Sequence, residues 1–126
     1  MKSISIRENE YQYSDADVIN FSEGLVGLPH MQHAVLIPIE GNEPFYWLAS
    51  DAGPERFVVI DPTVVFSNYD PIPGTKPMAL VTVSSDWKKT TVNLRAPIII
   101  DENAGTGRQV LLSDSDYEFA HSLVEE

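Results

Sequence analysis

The chain has 126 residues and no cysteine, so disulfide bonds, thiolate zinc sites and a cysteine nucleophile are excluded. Its net charge of −11 repels phosphate backbones, which argues against direct binding to DNA or RNA and favours a basic protein partner. No apolar run approaches the ~20 residues of a membrane-spanning helix. The opening MKSISIRENE lacks the apolar stretch of a signal peptide, so we expect a cytoplasmic protein.

Short strands are predicted near the start of the chain. Isoleucines alternate with serines over Ser3–Arg7, which is the period-two pattern of a strand. The polar stretch Glu8–Asp17 is typical of a hairpin turn or a short, partly exposed strand. Val18–Phe21 and Ala34–Ile39 are apolar enough for further strands, and the two glycines of Ser22–Pro29 interrupt regular structure between them.

The middle of the chain predicts a β-hairpin. Phe45–Ser50 and Arg56–Asp61 are apolar runs separated by a short loop, so we expect them to pair. Glu40–Pro44, which precedes them, carries a clear turn signal. Val64–Tyr69 either extends the sheet or curls away from it, and the prolines of Asp70–Pro77 predict a loop with little backbone freedom.

The strand pattern continues in the second half of the chain. Ala79–Ser84 alternates as a strand, and Asp86–Lys89 is the predicted tip of the next hairpin. Thr90–Asp101 is interrupted by a proline, which cannot donate to a β ladder, so we expect two strand segments joined at a bend. Asn93 and Arg95 lie on the wetter face of this stretch, as surface or turn-forming groups.

The last part of the chain predicts a turn, a strand and a helical turn. Asp101–Gly107 is a glycine-rich turn, and Gln109–Leu112 is the final predicted strand. Ser115 and Glu118 have the spacing of a capping box, and apolar residues follow at helical spacing. We therefore predict an all-β, mainly antiparallel fold: a small β-barrel-like single domain over residues 1–126, with at most a short C-terminal helical turn.

Few residues point to chemistry. His30 and His33 are three residues apart, but a metal site would need further ligands, and His121 lies near the other terminus. Asp61 ends an apolar strand before Pro62, where an aspartate commonly accepts turn hydrogen bonds. A rival hypothesis is a small-ligand-binding or hydrolytic β-barrel that uses Asp61 and a histidine, which would need a deep polar pocket.

Protein binding is a further possibility. We expect most of Tyr46, Trp47, Tyr69 and Trp87 to lie in the core, and any one left outside would mark a protein-binding patch. A structural subunit of a larger assembly would instead carry a large apolar self-interface. Composition and spacing alone thus indicate an acidic, all-β binding module.

Four stretches of the chain carry recognisable motifs: Ile19–Gly27 (INFSEGLVG), Pro44–Ser50 (PFYWLAS) with Phe57–Tyr69 (FVVIDPTVVFSNY), Thr91–Asp101 (TVNLRAPIIID) and Gln109–Tyr117 (QVLLSDSDY). Taken together, they resemble the FliW family of flagellar assembly factors. Each motif is weak alone, but their order and spacing match over nearly the whole chain. Within them, residues such as Phe21 and Gly24 are expected to serve folding.

The resemblance implies a β-barrel-like protein without catalytic activity, cofactor or metal. Proteins of this kind bind newly made flagellin at its C-terminal region in the cytoplasm. They also bind the RNA-binding regulator CsrA, at a surface away from its RNA site, and so relieve its repression of flagellin mRNA translation. The two partners exclude each other, so free flagellin returns CsrA to its message.

Loop position and charge predict where the partners bind. The predicted contact residues are Glu43, Pro44, Phe45, Asp61, Pro62, Asn68, Tyr69 and Asp70. This chain departs from the family at Asp70–Met78, which is shorter than the acidic, partly helical segment usual there. Any partner contact made by that segment is therefore expected to be reduced or rearranged.

Overall fold

The computed structural model describes residues 2–113 and 115–124, and these form a mainly antiparallel all-β structure. The strands are β1 (Lys2–Ile6), β2 (Asn9–Tyr13), β3 (Val18–Asn20), β4 (His33–Pro38), β5 (Phe45–Ser50), β6 (Arg56–Ile60), β7 (Lys76–Thr82), β8 (Thr91–Val92), β9 (Ile98–Asp101), β10 (Thr106–Gln109) and β11 (His121–Ser122). A single turn of helix, α1 (Pro62–Val65), and two 3-10 turns interrupt them. The predicted fold class is confirmed.

Seven strands close into a barrel in the order β7-β6-β5-β4-β3-β10-β9, and β9 returns to β7. The pairings in this ring are antiparallel except that of β10 with β3. β7 closes the ring because its first half pairs with β9 and its second half with β6. Closure leaves the ring without an open edge, which protects the strands from pairing with other chains.

The predicted bend within Thr90–Asp101 is confirmed. Val92 of β8 pairs with β7, and β9 pairs farther along the same strand, so both follow one edge of β7 around a bulge. The Asn93 side chain holds this bulge, because its Oδ1 accepts the N–H groups of Arg95 (3.2 Å) and Ala96 (3.0 Å). Those N–H groups therefore do not bond to the neighbouring strand. As a result β8 ends at Val92, and the first of the two predicted strand segments is only two residues long.

Three apolar clusters pack inside and outside the barrel. The interior cluster holds residues from six of the seven ring strands, all but β10, and includes the fully buried Phe21. The β1–β2 hairpin covers the outer face of β4 and β5, where Ile4 and Ile6 meet Val35 and Ile37. The outer face of β6, β7 and β8 is covered by the segments that follow α1 and precede β11. This third cluster lies directly beneath the candidate site.

Glycine is required at two positions near Phe21. Gly24 has a φ of +67°, and a Cβ there would collide with the Leu28 carbonyl. A Cβ on Gly107 of β10 would enter the Phe21 ring. The expectation that the INFSEGLVG stretch serves folding therefore has a physical basis in close backbone approach.

Two predictions near the C-terminus were wrong. The final barrel strand is Thr106–Gln109, because Gly105 at φ +68° completes the turn earlier than the sequence pattern suggested. The predicted helical turn does not form over residues 115–124: Ser115 donates its hydroxyl to the Leu112 carbonyl at 3.2 Å, and β11 pairs with β8. A free strand edge on β8 thus outweighed weak helical spacing.

Candidate functional site

The β5–β6 hairpin brings the first two groups of predicted contact residues together. Phe45 pairs with Ile60 across the hairpin, and the Asp61 N–H donates to the Pro44 carbonyl at 3.3 Å. The turn that carries Glu43, which is exposed, therefore lies beside the end of β6. Residues 18 positions apart in the sequence share one end of the barrel because the predicted hairpin forms in register.

Asp61 ends β6 and starts α1. Its Oδ1 accepts the Thr63 N–H at 3.1 Å and the Thr63 hydroxyl at 2.6 Å, as an N-terminal cap. Pro62 occupies the first helical position, where its missing N–H costs nothing, and its side chain is buried. The expectation that Asp61 accepts turn hydrogen bonds is confirmed, and Val64–Tyr69 curls away from the sheet.

Tyr69 anchors the chain after α1. It is only 4% exposed, its hydroxyl donates to the Leu94 carbonyl at 2.6 Å, and its ring meets Tyr117 edge-on at 4.8 Å. Burial raises the pKa of the Tyr69 phenol, and the neighbouring Tyr117 adds to the rise. Asn68 and Asp70 on either side remain exposed.

The predicted contact residues thus divide into two groups. Pro62 and Tyr69 are buried, so we correct their assignment: these side chains support the surface from below. Glu43, Asn68 and Asp70 are exposed, whereas Pro44, Phe45 and Asp61 are half-buried. Partner contact by these six stays a prediction.

A pit of about 190 Å³ opens at this end of the barrel. Its apolar lining comes from barrel-interior positions, including Leu36, Tyr46 and Met78. Its rim is polar and includes Asp61 with Thr63, and an exposed ion pair between Lys76 and Glu102 at 3.3 Å. The pit has room for one apolar side chain of a partner.

A groove of about 530 Å³ lies on the other side of α1. One wall is the segment from Val65 to Tyr69, and the other is the segment from Asp116 to Glu118 with His121. His121 Nδ1 lies 3.0 Å from the Glu118 carboxylate, and its ring meets Phe66 edge-on at 5.1 Å. The groove therefore combines an aromatic floor with one acidic wall, which carries Asp116 and Glu118.

α1 forms a ridge between the pit and the groove. Thr63 lines the pit and Val65 lines the groove, while Val64 and Val65 are 64% and 41% exposed. We call the ridge with its two flanking concavities the α1 face. The sequence analysis did not single out these valines, because it left open whether Val64–Tyr69 extends the sheet or curls away. Asp61 before a proline was the signal for a helical turn.

The rival site, Asp61 with a histidine, is not assembled. The Asp61 carboxylate is engaged by Thr63, His30 lies 3.5 Å from Glu55, and His121 pairs with Glu118. His33 is exposed on β4. Across residues 2–113 and 115–124, no group of three or more potential ligands is placed to hold a metal ion.

In the part of the chain that the structure describes, no helix is long and apolar enough to cross a membrane.

Comparisons with known proteins agree with one another. The FliW protein family model matches residues 3–76 and 73–123. The flagellar assembly factor FliW of Natranaerobius thermophilus is 33% identical, with 98% of this chain and 92% of that protein covered. The corresponding protein of Thermotoga neapolitana is 32% identical, covering 97% of this chain and 93% of that one.

A solved structure extends the likeness to three dimensions. The crystal structure of a flagellar assembly factor FliW superposes with a TM-score of 0.88 at 28% identity, over 99% of each chain. Family membership explains why weak motifs in the right order coincide with a closed barrel and its α1 face. This chain belongs to the FliW family of flagellar assembly factors.

Proposed function

We propose that this single-domain FliW protein works in the cytoplasm by binding the C-terminal region of flagellin and the regulator CsrA in mutually exclusive complexes. Binding of CsrA relieves its repression of flagellin mRNA translation, and flagellin reverses the effect by displacing it. The observation that carries the proposal is the α1 face, where exposed valines stand between an apolar pit and an acidic groove.

Charge favours CsrA as the basic partner. The described residues that line the pit and groove include four carboxylates and one lysine, and that lysine is paired with Glu102. An RNA-binding protein presents basic surface, and the overall charge of −11 would speed its encounter with this protein. The acidic wall of the groove would then fix the orientation of the complex.

Shape and exposure favour an amphipathic segment such as a flagellin terminus. Such segments bind by placing a few apolar anchors along a hydrophobic groove. Val64 and Val65 offer apolar contact, and the pit accepts one anchor. Both partners would cover the same two-valine ridge, which gives a physical reason for their exclusion of each other.

The proposal rests on binding rather than bond-breaking. Asp61, the carboxylate considered for a rival enzymatic site, is occupied as the cap of α1. The polar groups around the pit are engaged with each other or with backbone. The surface is therefore suited to holding proteins.

Size-exclusion chromatography with light scattering tests this function. The chain is mixed with purified CsrA, with a flagellin C-terminal segment, and with both together. We expect a complex with each partner alone and no species that contains all three. Failure to bind either partner, or a stable ternary complex, would contradict the proposal.

A further inference from the structure

The turn between β7 and β8 exposes apolar and basic residues that the α1 face does not use. Trp87 is 65% exposed, and Val83 is exposed beside it. Lys88 and Lys89 follow directly and are also exposed. We call Val83–Lys89 the β7–β8 tip. Of the four aromatic residues considered for an external patch, Trp87 is the one left on the surface.

The backbone of the tip is fixed by local hydrogen bonds. Asp86 Oδ1 accepts the Lys88 N–H at 3.2 Å, and the Asp86 carbonyl accepts the Lys89 N–H at 2.8 Å. The buried Thr90 accepts the Ser84 N–H at 3.1 Å through its hydroxyl. Trp87 is therefore presented outward on a formed 3-10 turn, as a rigid aromatic anchor.

The tip carries two lysines and one acid, Asp86, and so has a net positive charge on an acidic protein. Of the eight lysines and arginines, Lys2 and Lys76 are held in ion pairs. Arg56 and Arg95 donate to backbone carbonyls. Lys88 and Lys89 take part in none of the ion pairs found among the described residues. A docking partner for this tip should be acidic and offer a recess for an indole ring.

The groove of the α1 face meets that description. Its floor is aromatic, Asp116 and Glu118 supply negative charge, and its volume of about 530 Å³ exceeds that of an indole. The groove and the tip lie at opposite ends of the short β8–β11 ladder. At the groove end the Leu94 N–H donates to the Glu118 carbonyl, and at the tip end the Leu123 N–H donates to the Thr90 carbonyl. At ~3.3 Å per extended residue, Thr90 and Leu94 lie within about 13 Å of each other.

We propose that the β7–β8 tip of one molecule docks in the groove of a second copy. Each copy carries one tip and one groove, so two copies related by a two-fold axis would make the contact twice and form a closed dimer. The contact area is small, so the dimer is weak and forms at high protein concentration. Such a dimer would cover the groove of the α1 face. If the proposed function is correct, the dimer would therefore compete with the binding of flagellin and CsrA.

Sedimentation velocity of the chain alone tests the dimer without any partner. From about 1 µM to about 1 mM, the wild-type mass should rise from monomer toward dimer, and added salt should suppress the rise. Trp87→Ala, and the double change K88E/K89E, should each remain monomeric. Matched controls are Val26→Ala, which truncates a residue that is 71% exposed elsewhere, and K2E/R108E, which makes the same change in charge. Both controls should dimerise as wild type does.

Charge exchange makes the test decisive. The double change D116K/E118K should also abolish self-association, because basic tip would then face basic groove. Mixing it with K88E/K89E should restore a dimer, since each interface again joins opposite charges. A wild-type chain that stays monomeric throughout, a dimer that survives Trp87→Ala, or a mixture that does not associate would each overturn the proposal.

Discussion

Replacing Tyr69 with phenylalanine probes the support beneath the α1 face. The change removes the buried hydrogen bond of 2.6 Å to the Leu94 carbonyl and retains the edge-on ring contact with Tyr117. Loss of a buried hydrogen bond that leaves its acceptor unpaired costs about 1–2 kcal/mol. We therefore expect Tyr69→Phe to lower the free energy of unfolding by that amount at pH 7.

The difference should disappear at high pH. Burial raises the pKa of the Tyr69 phenol, so the folded state keeps its proton while the unfolded state ionises near pH 10. Stability contributed by the phenol is thus fully present below pH 10 and lost as pH rises above it. At pH 11 the ionised unfolded state gains about 1.4 kcal/mol, which cancels most of the advantage over phenylalanine.

Urea unfolding of both proteins, followed by tryptophan fluorescence at pH 7 and pH 11, measures these differences. The other tyrosines titrate in both proteins, so comparing wild type with Tyr69→Phe isolates residue 69. Equal stability at pH 7 would refute the hydrogen-bond argument. A difference that persists unchanged at pH 11 would refute the argument from burial.

Three further predictions concern the surface and its cap. V64D/V65D should weaken flagellin binding at least tenfold by calorimetry, because it places charge on the apolar ridge (about 1.4 kcal/mol per tenfold). E43K/D70K should slow CsrA association in stopped-flow measurements, and its effect should fade with added salt. Asp61→Ala should lower the free energy of unfolding by about 1 kcal/mol, through loss of the α1 cap, in urea titrations.

The first two of these predictions have matched controls, and all three have a contrary outcome. Val26→Asp adds charge at an exposed valine outside the pit and groove and should leave flagellin binding unchanged. E8K/E23K makes the same change in charge as E43K/D70K, at two exposed residues outside the predicted contact set. Unaltered flagellin binding by V64D/V65D would remove the ridge from the site. If both charge variants slow CsrA association equally, the rate depends on net charge and not on Glu43 and Asp70. If Asp61→Ala is as stable as the wild type, the α1 cap does not contribute to stability.

Local signals predicted much of the fold. The Phe45–Ser50 and Arg56–Asp61 hairpin was visible because alternation and turn residues act within a few positions. The bend after Thr90 was visible because proline cannot donate to a ladder. The sequence predicted a barrel-like fold but did not predict which strands close it. Closure depends on the pairing of β7 with β9, and no local sequence pattern indicates that these two strands are partners.

The site was harder to predict than the fold. Glu43 and Asp61 were named separately, from loop position and charge, and it is the register of the hairpin that brings them to one end of the barrel. Tyr69 was assigned to the surface although it is buried, since its partners Leu94 and Tyr117 are distant in sequence. The exposure of Val64 and Val65 depends on α1, and a four-residue helix has no periodicity to detect.

The most direct test follows the RNA affinity of CsrA for the leader of flagellin mRNA by fluorescence anisotropy. Adding this chain should weaken RNA binding, and adding the flagellin C-terminal segment should restore it in proportion to the chain present. Because both partners are proposed to cover the valine ridge, V64D/V65D should leave the RNA affinity of CsrA unchanged, with or without flagellin. RNA binding that ignores the chain, or that flagellin cannot restore with the wild-type protein, would contradict the account.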